Sequence, residues 1–424
     1  MPISSQRSLR AAVATLFVPL ALAGAVLPAP VLAAPAVASV AVKPNAAFDT
    51  WADRYAADWV RMNPQLASST QYFSGAEQAA LDRELTPQTP ARRKQMVALA
   101  KAGVARLDQW LAGSLDETQR TSALVMRWSL SNVIANEPFE DYNFVFSQFG
   151  GPQVGLVNYM TQTHPMRSAA DVDSWLARLE QVGARMDEAL ARARGATQRK
   201  LIPPRFILER AQFQVDTFLT PAAAQNVLVT SLESRSAALA DLTPQARSAA
   251  IARATRIVEE KIRPAYARVQ GFMAQLHPQT GDTAGISRLQ GGLKAYQRAI
   301  ANYTSTTLTA EEIHAIGLRE VARLEGEMDK HLRALGFNEG SIEVRMKALD
   351  ATFQPKGEGD PRPAILARYK EMVKDAQARS AALFNLMPRA PVDVLREPPL
   401  TEASAAAHYS LPAPDGSRPG VFWV

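Results

Sequence analysis

The sequence predicts an all-α protein of many antiparallel helices with a short β-hairpin-like segment at its C-terminal end. Three observations carry that expectation. Large apolar residues recur at spacings of three and four along most of the chain, the period of an amphipathic helix. Capping residues stand where those runs begin. Past Pro388 the period is lost, and prolines become dense around two short apolar runs.

Residues 1–33 have the three parts of an export signal: Arg7 and Arg10, an apolar run from Ala11 to Val26, and small residues at Val31 and Ala33 of Val31-Leu32-Ala33. The protein is therefore expected to be exported, to the periplasm or beyond. Residues 34–46 are rich in Ala, Val and Pro and read as a disordered leader. Residues 47–390 read as a helical domain. Residues 391–424 read as a Pro-rich segment and the start of a β-structured region.

The first helix shows one face in Phe48, Trp51, Tyr55, Trp59 and Met62, and Pro64 stops it. Pro90–Leu111 and Asp116–Asn136 follow. Between Asn136 and His164 the period breaks at Pro138 and Gly150-Gly151-Pro152. Many aromatics stand there, so an ordered loop with short helical turns is expected. Ser168 and Asp171 signal a new start at Ala169, with Val172, Trp175, Leu179, Val182, Met186 and Leu190 as its buried stripe. Pro203-Pro204 opens another helix.

Thr243–Leu276 contains Pro264 and is kinked there or split in two. Residues 277–292 are loop-like, and Leu293–Asn302 is helical. Thr309 and Glu312 form a capping box for Ala310–Leu335. Its apolar face is Ile313, Ile316, Val321, Leu324, Met328, Leu332 and Leu335, and Gly336 supplies its stop. Pro363–Met387 is closed by Pro388. Tyr409-Ser410-Leu411 and Val421–Val424 read as strands around an Asp415-Gly416 turn. No partner strand follows the second of them, which leaves it hanging. The chain is on that account expected to be the front part of a longer protein.

The chemistry is mostly exclusion. There is no cysteine, which rules out disulfides, thiolate metal sites, a Cys nucleophile and a lipid-bearing cysteine. The net charge is +6 with both signs interleaved, so no basic stripe for nucleic acid stands out. No later apolar run is long enough to cross a bilayer, so no stable membrane insertion is expected after signal cleavage. The histidines are His164, His277, His314, His331 and His408, and none belongs to H-E-x-x-H. Glu311 and His314 have di-iron spacing, but the second E-x-x-H of a metal-carboxylate bundle is missing. No catalytic residue and no metal ligand is identified.

Two blocks carry a resemblance. One runs Tyr303-Thr304-Ser305-Thr306-Thr307-Leu308-Thr309-Ala310-Glu311-Glu312-Ile313-His314-Ala315-Ile316-Gly317 and on through Glu320-Val321. The other is Leu411-Pro412-Ala413-Pro414-Asp415-Gly416-Ser417-Arg418-Pro419-Gly420-Val421-Phe422. Both resemble the bacterial family called domain of unknown function 885, with weaker echoes at Asn63-Pro64, Gln153 and His164-Pro165. The family is similar in architecture to gluzincin-type zinc peptidases, helical shells around a deep cleft. The resemblance implies zinc for an intact member, held by an H-E-x-x-x-G-H-H-type segment after the last strand. That segment is absent here, so no cofactor is assigned to this chain.

The resemblance also implies a peptide substrate. An extended peptide would pair with the strand Ser417–Val424 by β-augmentation, which makes Ser417, Arg418 and Gly420 the candidate substrate-contacting residues. Arg418 either faces the substrate carboxylate or makes a structural ion pair in the turn. The functional expectation is the N-terminal portion of an exported zinc-peptidase-like protein, catalytically incomplete in itself. The alternative is a non-enzymatic helical binding or scaffold protein of the periplasm.

Overall fold

The computed structural model describes residues 43–354, 359–384, 387–398, 401–402, 405–413, 416 and 418–424. Residues 1–33, expected to be an export signal, and most of the expected leader of residues 34–46 lie outside them. The helices are α1 (Ala46–Arg61), α2 (Pro64–Thr70), α3 (Gly75–Leu81), α4 (Pro90–Leu111), α5 (Glu117–Asn136), α6 (Pro152–Asn158), α7 (Ala169–Gln198) and α8 (Arg205–Leu219). They continue with α9 (Val227–Ser236), α10 (Pro244–Ile257), α11 (Arg263–Leu276), α12 (Gly292–Thr304), α13 (Ala310–Ala334), α14 (Ile342–Phe353) and α15 (Arg362–Ser380). A small sheet closes the described chain: β1 (Val392–Leu395), β2 (His408–Ser410) and β3 (Gly420–Trp423). The mainly helical class with a short terminal β segment is the one the sequence predicts. Among the described residues, no helix is long and apolar enough to cross a membrane.

Side-chain caps set the helix starts. The Asp116 carboxylate accepts from the Gln119 N–H at 2.7 Å, and Thr309 accepts from the Glu312 N–H at 3.2 Å. Asn45 caps α1. Gln119 clasps it from α5, accepting from the Asn45 N–H at 2.9 Å and donating to the Asn45 carbonyl at 3.1 Å. Pro64 ends α1 as expected and then serves as the first residue of α2, where a missing N–H costs nothing.

One apolar core joins α1, α4 and α5 through Phe48, Tyr55, Trp59, Leu107, Met126 and Leu130. A larger one is organised on α7. The stripe from Val172 to Leu190 is buried throughout and packs on α6, α8, α9, α10 and α11. Part of the aromatic loop packs there too, through Phe146, α6 and a π-turn (Tyr159–Thr163), while Tyr142 of its 3₁₀ turn (Glu137–Asn143) packs on a small cluster of Ala196, Leu201 and Leu289. Pro264 splits its helix as expected. The N–H that proline lacks would have served the preceding turn, and a π-turn at Val258–Ile262 stands before it. Gly183 lets α7 approach that π-turn, since a Cβ there would lie 2.8 Å from the Lys261 carbonyl oxygen.

From α12 onward packing thins. The capping box of α13 forms, but of its predicted apolar face only Leu332 is buried. Val321 is 53% exposed and Leu324 48%. Its Asp329 pairs with Arg345 of α14 at 2.7 Å.

The sheet corrects two expectations. Its order is β1-β3-β2, with β1 parallel and β2 antiparallel to β3. The predicted hairpin of β2 and β3 is present, with Tyr409 opposite Phe422. The strand said to hang is not unpaired, because it is the central strand, and β1 supplies the partner the Pro-rich segment hid. Nor can a substrate pair with β3, since both of its edges are taken.

Candidate functional site

Arg418 is where the β2–β3 connection meets the helical body. Its Nη2 donates to the Ser69 carbonyl at the end of α2, at 3.1 Å. Ser417 lies outside the described residues. Gly420 is buried in β3, where its N–H donates to the Pro391 carbonyl at 2.9 Å. A Cβ at Gly420 would sit 2.0 Å from the Tyr409 hydroxyl, so the glycine makes room for that ring. Of the three predicted substrate residues, then, one is packing, one is undescribed, and Arg418 faces a cavity.

The cavity has a volume of about 160 Å³, and Ser69, Gln71, His164, Arg167, Arg235 and Arg418 are among the residues lining it. Arg235 reaches it from α9. Its Nη1 donates to the Met160 carbonyl at 3.0 Å and its Nη2 donates to the His164 carbonyl. Burial pulls its guanidinium pKa down from the usual range. Arg167 precedes α7, with its Nη2 on Gln71 at 3.2 Å and its Nε on the Asp171 carboxylate at 3.3 Å. Three guanidinium groups thus border the cavity, Arg167 held by the Asp171 carboxylate and Arg418 by the Ser69 carbonyl. An anion of carboxylate size is the ligand such a lining favours.

Arg178 lies beneath, fully buried on α7. Its Nε donates to the Glu84 carbonyl at 2.9 Å. Its Nη2 donates to Ser68 Oγ at 2.6 Å and to the Leu81 carbonyl at 2.8 Å. Its Nη1 donates to the Tyr159 hydroxyl at 2.5 Å and to His164 Nδ1 at 2.8 Å. Ser68 passes the contact on by donating to Asp82. One side chain thereby ties α2, the end of α3, the π-turn and α7 together. Since His164 Nδ1 accepts, Nε2 carries the proton and donates to the Asp171 carbonyl at 3.3 Å. Burial, then the Arg178 charge, lowers the His164 pKa to about 3. The imidazole is a neutral wall of the cavity.

Sequence reasoning found Arg418 but missed Arg167, Arg178 and Arg235. A signal existed for Arg178. It stands three residues after Trp175 and four before Val182, on a stripe that is otherwise apolar. Zinc does not fit this site or any other described one. Both nitrogens of His164 are engaged, and among the described residues no three His, Cys, Asp or Glu side chains come together to hold a metal.

Comparison with known proteins follows the fold. The family model described as bacterial protein of unknown function (DUF885) matches residues 68–424. A provisionally assigned lipoprotein from Colwellia psychrerythraea superposes with a TM-score of 0.75 at 22% identity, over 88% of this chain and 67% of that one. A second, of unknown function, from Shewanella oneidensis gives 0.56 at 18% identity, over 89% of this chain and 64% of that one. At those identities the likeness shows the fold alone. The chain spans about two thirds of each of these two proteins. No curated protein matches the sequence.

Proposed function

Because the chain belongs to the DUF885 family, we propose that it is the N-terminal, substrate-holding portion of an exported protein of the zinc-dependent peptidase type. The observation that carries this reading is the meeting of Arg418 with Arg167 and Arg235 around one cavity. Arg418 comes from the block that resembles the family, and the other two come from the helical body. A planar guanidinium pairs well with a carboxylate, so this cluster suits the free C-terminus of a peptide.

The part assigned to these residues is binding and orientation. Zinc would supply activated water in a member that holds it, and the described residues here offer no place for the metal. The structural relatives support the reading in two ways. Their chains run well beyond the matched part, which leaves room for metal-holding residues. Their description as lipoproteins supports an exported or envelope-associated location, in keeping with the signal read in residues 1–33.

The test uses purified residues 34–424 and a fluorescein-labelled pentapeptide with either a free or an amidated C-terminus. The free form is expected to bind at least about tenfold more tightly, and Arg418→Gln is expected to erase the difference. Added zinc should produce no cleavage. Equal binding of the two peptides removes the substrate-holding role. One-to-one zinc with hydrolysis would put the metal site within this chain.

A second reading, a non-enzymatic helical binding or scaffold protein of the periplasm, is favoured by the uncovered apolar face of α13. It predicts capture of an apolar partner with no preference for a free carboxylate.

A further inference from the structure

A cavity of about 570 Å³ opens in the helical body, where α2, α6 and α7 meet the aromatic loop. Every residue that lines it falls between positions 65 and 192. Its size is that of sites that hold a small molecule.

The charged groups at its wall are already spent. Glu140 pairs with Arg93 at 2.7 Å and lies 3.6 Å from Arg192, whose Nε donates to Asp141 at 2.6 Å. Asp141 also accepts from Arg199. These pairs pin the 3₁₀ turn just before Phe144, whose φ of 55° is one that side chains rarely adopt. Such strain persists only where neighbours enforce it, and it gathers at ligand sites. Phe144 and Val145 give the cavity an apolar wall.

The neutral polar groups are not spent. Gln88 is anchored through its backbone, whose N–H donates to Glu188 at 2.7 Å. Among the described residues, the carboxamides of Gln88 and Asn143 and the hydroxyl of Ser147 have no hydrogen-bond partner. Gln65 Oε1 accepts from the Thr86 N–H at 3.2 Å, which leaves its amide nitrogen uncommitted. Asn143 is exposed, and the uncommitted atoms of the three half-buried residues are open to solvent. On α6, a Cβ at Gly155 would meet nothing within 4 Å, so that wall leaves the cavity clear.

We propose that this cavity binds a neutral sugar. A carboxamide carries an acceptor and a donor side by side. Two adjacent hydroxyls of a sugar ring return a donor and an acceptor in the same arrangement. In a trans peptide the N–H and C=O point opposite ways, so one carboxamide meets only one of them. The C–H face of the ring would rest on Phe144. With Glu140 and Arg192 already paired, a charged ligand gains no counter-ion. Neither the Arg418 cavity nor any peptidase activity enters this argument.

Maltose, N,N′-diacetylchitobiose and acetyl-triglycine amide are titrated calorimetrically into residues 34–424. At least one disaccharide is expected to bind one-to-one with a Kd below about 1 mM, and the blocked peptide at least about tenfold more weakly. The tighter of the two sugars tells whether the ring carries plain hydroxyls or acetamido groups. Gln88→Ala with Asn143→Ala should weaken that sugar at least about tenfold. Those side chains serve no partner among the described residues, so the double variant should keep the wild-type melting point. Gly155→Leu fills the open space and should abolish binding. No binding of either sugar, a peptide held as tightly, or binding that survives either variant overturns the proposal. The comparison of sugar with peptide needs no variant to fold.

Discussion

The guanidinium Nη1 of Arg178 donates to Nδ1 of His164 across 2.8 Å, in a site where both residues are buried. A cation held that close can only meet a neutral imidazole, and the His164 pKa falls to about 3. The sign of the consequence follows from linkage. The unfolded chain takes up a proton near the ordinary value of about 6.5, and the folded chain refuses it. Stability from this residue is therefore complete above about pH 6.5 and is lost as the pH falls from there toward 3. His164→Asn keeps an acceptor for Arg178 and has nothing to titrate. Between about pH 7 and about pH 5, the wild type should lose about 2 kcal/mol more than His164→Asn in urea unfolding. Parallel losses would mean that the folded protein admits the proton.

Arg178 itself is expected to be the most sensitive single position of the helical body. It serves the carbonyls of Glu84 and Leu81, two hydroxyls and an imidazole. Arg178→Met orphans them all, at a cost of about 3–5 kcal/mol. Arg178→Lys should recover little of that, because one ammonium cannot reach partners spread around a planar fork. Chemical denaturation of the two variants decides the matter. A lysine variant as stable as wild type would show that the charge matters there and the fork does not.

Gly183 and Gly195 lie on the same helix and should respond in opposite directions to alanine. At Gly183 the new methyl would meet the Lys261 carbonyl at 2.8 Å, a backbone atom of the π-turn that cannot swing away. Gly183→Ala is expected to cost about 1–3 kcal/mol. At Gly195 the nearest contact is the tip of Arg199 at 3.7 Å, and Gly195→Ala should stabilise by about 0.5–1 kcal/mol through helix propensity. Thermal melts of the pair test the close approach directly. A melting point for Gly183→Ala at or above wild type would show that α7 can step back.

The helices were legible because their signals are local. Asp116, Ser168 and Thr309 each declare a start within four residues, and Pro264 announces the π-turn that stands just before it. β1 was not legible, because Val392 meets its partner Gly420 only after a long connection, and a strand of four residues gives no period. That missing partner is why β3 read as hanging and why a peptide was expected on its edge. At the candidate site Arg418 was legible through the block that contains it. Arg167 and Arg235 were not, because sequence spacing says nothing about two helix ends meeting in space.

The stripe on α13 shows the limit of amphipathic reading and yields the last prediction. Periodicity says that a face wants cover, and it does not say what covers it. Leu332 lies on that face at 2% exposure, while Val321 and Leu324 on the same face stand 53% and 48% exposed. If the face were already part of the core, polar substitution anywhere along it would unfold the chain. With the exposures observed, Leu332→Ala should cost about 2–5 kcal/mol. Val321→Gln with Leu324→Gln should change stability by no more than about 0.5 kcal/mol per site. The double variant should also bind less of an apolar dye and self-associate less, since it removes an uncovered patch. Urea unfolding, dye fluorescence and sedimentation measure the three effects. A double variant as damaged as Leu332→Ala would show that the face is covered in solution, by another segment or by a second copy.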